Sequence, residues 1–179
     1  MRGHAFAVVM ATGLLAYGTA RAADKTAPPD GAAALARLKT LAGEWRGHIV
    51  TADGPPVEVV YSVTAGGSTV QEKLFVGSAH EMVTMYHLDG GDLVLTHYCA
   101  MGNQPRMKLV ASADPSELRF DFAGGANIDP AKDMHMHGGR IVLRGPDRLD
   151  AEWSMYDKGK QTGANKFFLE RVKGGPPAR

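Results

Sequence analysis

From Trp45 to Val172 the chain alternates apolar and polar residues with a period of two, in short runs broken by turn residues. Successive side chains of a strand point to opposite faces, whereas a helical face repeats about every 3.6 residues, so this pattern dictates sheet. Trp45, Gly47 and Ile49 alternate with Arg46 and His48, and Val57, Val59, Tyr61 and Val63 with Glu58 and Ser62. Val70, Glu72, Leu74 and Val76 follow, then "HEMVTMYHL" (80–88), "DLVLTHYCAM" (92–101), "PRMKLVAS" (105–112) and "ELRFDFAG" (117–124). "MHMHGGRIVLRG" (134–145), "RLDAEWSMYD" (148–157) and "GANKFFLERV" (163–172) complete the series. The separators "ADGP", "AGGS", "LDGGD", "GNQP", "ADPS", "RGPD" and "DKGK" are tight-turn chemistry. About ten strands at hairpin spacing, with no helical crossover, predict an all-β antiparallel fold, an up-and-down barrel or a sandwich.

One helix precedes the sheet. Asp30 is a natural N-cap, Leu35, Leu38 and Ala42 recur at spacings of three and four, and Gly43 is a natural stop, which predicts a helix over 32–42. Before it, residues 1–22 read as a secretory signal: Arg2, the apolar run "AFAVVMATGLLAY" (5–17) and Ala20-Arg21-Ala22 at the cleavage site. That run falls short of the roughly 20 residues that span a bilayer. The expected organisation is a signal peptide (1–22), a flexible linker (23–31), one barrel domain (32–173) and a disordered tail (174–179).

Export to the periplasm or beyond is permissive for disulfides, yet Cys99 is the single cysteine and has no internal partner. No lipid-attachment cysteine follows the signal, so the expectation is a soluble monomer or homodimer. With 20 basic against 19 acidic residues the net charge is +1, and the basic residues form no patch or stripe. Nucleic-acid binding, which depends on concentrated positive charge, is therefore not expected.

The junction "LAGEWRGH" (41–48), in which a short helix runs into Gly43-x-Trp45 at the first strand, resembles the opening of the calycin barrels, the lipocalin-like and nitrobindin-like proteins. The resemblance extends over about residues 35–172 and implies an up-and-down barrel of about ten strands. It also implies that Trp45, beside Gly43, plugs the closed end and that Arg171 of the last strand packs across it. The chain is most similar to poorly characterised exported bacterial barrels that share "MYHLDGGDLVLTHYCAMGNQPRM" and "HMHGG". Against the GxWxGxG phrase of the nitrobindin-like barrels, Gly43, Trp45 and Gly47 match and Ile49 replaces the last glycine. No histidine follows His137, so their C-terminal haem ligand has no counterpart.

Parity assigns the interior. Leu93, Leu95, His97 and Cys99 share one face, and its leucines place it inside. Ile141 and Leu143 share parity with His135 and His137, which puts those histidines inside and Met134 and Met136 outside, unless Gly138-Gly139 marks a bulge. The leading expectation is a carrier of a small hydrophobic molecule, oriented by His97, His135 and His137 with Tyr86 and Cys99, and without a cofactor. Two alternatives stand beside it. The same three histidines would hold copper, zinc or haem, or an interior histidine would serve an isomerase or hydrolase as general base. Glu72, Asp121 and Glu152 make no spaced acid–base pair, and Met82, Met85, Met101, Met107 and Met155 supply deformable apolar surface.

The leader makes one direct prediction. Chain recovered from the periplasm of an exporting host should have the intact mass of a protein beginning near Ala23. An uncleaved N-terminus would remove the export reading.

Overall fold

In a computed structural model, residues 29–50 and 53–174 are described. The expected signal peptide, nearly all of the linker and the tail beyond Gly174 lie outside these residues. Helix α1 (Gly31–Lys39) leads into strands β1 (Gly43–Ile49), β2 (Pro56–Thr64), β3 (Thr69–Leu74), β4 (Met82–Asp89) and β5 (Asp92–Tyr98). Strands β6 (Gln104–Val110), β7 (Glu117–Ala126), β8 (His135–Leu143), β9 (Arg148–Asp157) and β10 (Lys160–Arg171) follow. Each strand pairs antiparallel with the next, and β10 returns to pair with β1, so the ten strands close into a barrel. The up-and-down barrel is thus the architecture, and the sandwich is excluded.

The helix starts as expected, with the Asp30 side chain accepting from Ala33 N at 3.0 Å. It ends three residues early. The segment from Thr40 to Ala42 tightens into bonds back to Arg37, Leu38 and Lys39, and the Thr40 hydroxyl donates to Arg37 O. Gly43 therefore opens β1 rather than capping the helix, with φ at 134°, a value L side chains rarely adopt. Buried Leu35, Leu38 and Leu41 join the barrel core, and α1 packs against β3, β4 and β5 across one end of the barrel.

That end is closed by Trp45 and Arg171, which are register partners across the β1–β10 seam. The indole is fully buried and donates from Nε1 to Leu41 O at 2.8 Å. Arg171 lies over it, 4.3 Å from guanidinium carbon to ring centroid. The guanidinium also donates to Thr40 O and Ala42 O, both at 2.8 Å, and to Pro146 O at 3.1 Å. One side chain thus joins the helix end, the first strand and the β8–β9 turn. The seam itself needs a glycine at 47, because a Cβ there would stand 1.8 Å from Phe168 O.

Arg171→Lys keeps the charge but cannot reach three carbonyls in fixed directions, so it should destabilise the fold by about 2 kcal/mol. Urea unfolding measures this. An unchanged midpoint would mean that the guanidinium geometry contributes nothing.

Candidate functional site

Strand register assembles a polar rung inside this apolar barrel. Tyr61, Glu72, Thr84 and His97 lie directly opposite one another in sequence across β2, β3, β4 and β5. All four are fully buried. Tyr61 donates to Glu72 Oε1 at 2.6 Å, and Tyr86, one step along β4, donates to Oε2 at 2.8 Å. Thr84 is the register partner of Glu72, and its hydroxyl oxygen lies 2.9 Å from His97 Nδ1.

Burial raises the pKa of Glu72, and the bonds from Tyr61 and Tyr86 oppose that rise. Burial, reinforced by the Glu72 carboxylate, holds both tyrosines well above their ordinary range, so they remain donors. His97 Nε2 has no partner among the described residues. Burial lowers the His97 pKa to about 4, so the ring is neutral at physiological pH and only a weak base.

His97 stacks on Trp153, with ring centroids 6.2 Å apart, and Trp153 Nε1 is a second buried nitrogen without a partner among the described residues. The indole lies against Gly139, where a Cβ would stand 2.3 Å from its ring. Trp153 also lines a cavity of about 160 Å³, together with Leu74, Phe75 and Phe167, Cys99 and several methionines. The cavity occupies the barrel mouth opposite α1, where the β3–β4 and β5–β6 connections lie.

The β8 histidines depart from the sequence expectation. The β8–β9 register shifts between Met136 and Gly138, leaving His137 as the extra residue of a bulge. The bulge reverses the parity of the residues before it: Met136, expected outside, is 3% exposed and joins the core. His137, expected inside, lines an outer-wall groove of about 560 Å³ with Asp121, Arg140, Ser154 and Tyr156. Its ring is sandwiched between Phe122, at 4.6 Å, and Tyr156, at 4.0 Å. His135 is buried in the same stack, with Nδ1 2.8 Å from Asp133 O and Nε2 2.8 Å from His137 Nδ1. Burial, with the neighbouring His135, lowers the His137 pKa.

His97, His135 and His137 therefore do not face one interior space. Among the described residues no group of three or more His, Cys, Asp or Glu side chains is placed to hold a metal ion. The expected ligand role of Tyr86 is also recast, because its hydroxyl is committed to Glu72. Cys99 is half-buried at the mouth. Sequence reasoning passed over Glu72, Tyr61 and Thr84. The available signal was a lone carboxylate at inward parity between Val70 and Leu74.

Solved structures are similar to this chain. Rv2717c from M. tuberculosis superposes with a TM-score of 0.52 at 20% identity, over 78% of this chain and 98% of that one. A protein of unknown function from the DUF3598 family of Nostoc punctiforme PCC 73102 gives a TM-score of 0.48 at 16% identity, over 74% of this chain. The chain spans about half of that protein, 48%. No family model matches the sequence, and no curated protein matches it. At such identity the likeness to Rv2717c is one of fold alone.

The buried imidazole predicts acid sensitivity. Below its ordinary pKa of 6.5, His97 takes up a proton in the unfolded chain that the folded barrel refuses until about pH 4. Stability should therefore fall as pH drops through this window, by up to about 3 kcal/mol. Urea midpoints measured across it should flatten in His97→Leu, and equal slopes in both proteins would refute the assignment.

Proposed function

We propose that this chain is an exported, soluble calycin-like barrel that holds a small, largely apolar molecule in its mouth cavity. One observation carries the reading: Trp153, whose buried Nε1 lacks a partner among the described residues, lines an apolar cavity, and His97, with an unpartnered Nε2, stacks on its ring. Buried polar atoms are nearly always satisfied, and each unsatisfied one costs about 1–3 kcal/mol. A ligand with a small polar head supplies the missing partner of Trp153. Its volume is limited by the cavity, whose 160 Å³ is close to the roughly 150 Å³ that accommodates a benzene-sized guest.

The interior rung supports this reading by holding His97 in place through the 2.9 Å contact of its Nδ1 with the Thr84 hydroxyl. Trp153 offers only a donor. A neutral hydroxyl, which accepts as well as donates, matches the Trp153 donor. The leader at 1–22 and the resemblance of "LAGEWRGH" to calycin barrels support export and carriage.

The two tryptophans separate the mouth from the closed end. Titration with single-ring phenols and short-chain alcohols should change fluorescence saturably in the native protein and in Trp45→Phe, but not in Trp153→Phe. A response that survives loss of Trp153, or no saturable response at all, would overturn the proposal.

A further inference from the structure

The mouth cavity gathers sulfur as well as aromatic rings. Of nine methionines and one cysteine in the chain, Met82, Met101, Met136, Met155 and Cys99 all line this single space of about 160 Å³. Four segments contribute them: β4, the β5–β6 turn, β8 and β9. Cys99 Sγ lies 3.8 Å from Met82 Sδ, the thiol donating to the thioether. Met136 and Met155 are direct cross-strand partners on the inner face, an arrangement that exists because the His137 bulge turns Met136 inward. At the lip, Met101 is 44% exposed.

Methionine commonly fills irregular core space, but here the thioethers border a space they leave open. Thiolate and thioether donors select soft ions, above all Cu(I). The spacing suits one. Two sulfurs 3.8 Å apart can each stand about 2.3 Å from a metal at an S–metal–S angle of roughly 110°. Charge selects the same class: one thiolate neutralises a monovalent ion, whereas a divalent ion would leave net charge in apolar surroundings at high cost.

We propose that the mouth cavity is a soft-cation site for one Cu(I) ion, held by Cys99 and Met82 and completed by Met136 or Met155. Binding replaces the thiol proton: Cys99–SH and Cu⁺ give Cys99–S–Cu and H⁺, with no change in oxidation state. The ion occupies the space assigned above to an apolar molecule, so the two compete.

The test is an anaerobic titration of the mature protein with Cu(I), and separately with Ag(I), followed by native mass spectrometry. One metal per chain is expected, with the mass gain of the metal less one proton. Cys99→Ser, the volume-conserving Met82→Leu, and Met136→Leu combined with Met155→Leu should each weaken binding at least roughly tenfold, the loss that even outer-sphere changes cause. Thermal melting of each variant checks that the barrel persists, and His137→Ala should bind as the native protein does. Absence of uptake overturns the site, as does uptake that survives Cys99→Ser and Met82→Leu together or is lost in His137→Ala. Equally tight Zn(II) binding would overturn the soft-donor assignment.

Discussion

Everything inside this protein depends on the closure of β1 against β10. An open ten-strand sheet would leave two edges of unpaired backbone groups and no enclosed interior. Closure requires a bare backbone at Gly47, where the two strands approach too closely for a Cβ, and a clamp at the end of the seam. Arg171 is that clamp. It covers the Trp45 indole and takes up the carbonyls at which α1 and the β8–β9 turn end, so closure and plugging are one event.

Within the closed sheet, burying Glu72 is costly, since a carboxylate removed from water must be matched by donors. Tyr61 and Tyr86 provide them. Apolar side chains would fill the same rung without this cost. The polar rung does what they cannot, setting the Thr84 hydroxyl 2.9 Å from Nδ1 of His97, whose ring stacks on Trp153.

A single extra residue divides the chemistry of β8. By placing His137 outside the ladder, the bulge sends the histidine pair to the outer wall and Met136 to the mouth. The imidazole and thioether groups that are interleaved in "DMHMHGG" thus serve two separate surfaces. Gly138 and Gly139 allow it, since neither has a side chain to compete with Ser154 and Trp153 on the facing strand.

Alternation of apolar residues and turn chemistry determined, from sequence alone, an all-antiparallel fold with one leading helix, and β9 spans the very residues its periodicity indicated, 148–157. These features were legible because they are local: side-chain parity and turn preference act within a few residues. Parity also placed His97 and Cys99 on an inward face, but it failed at His135 and His137, since a bulge depends on how a strand meets its neighbours. The tertiary structure alone decided that Tyr61, Glu72, Thr84 and His97 share one rung and that five sulfur side chains surround one cavity. Residues from four strands become neighbours only through inter-strand register, and register is set by closure of the whole sheet.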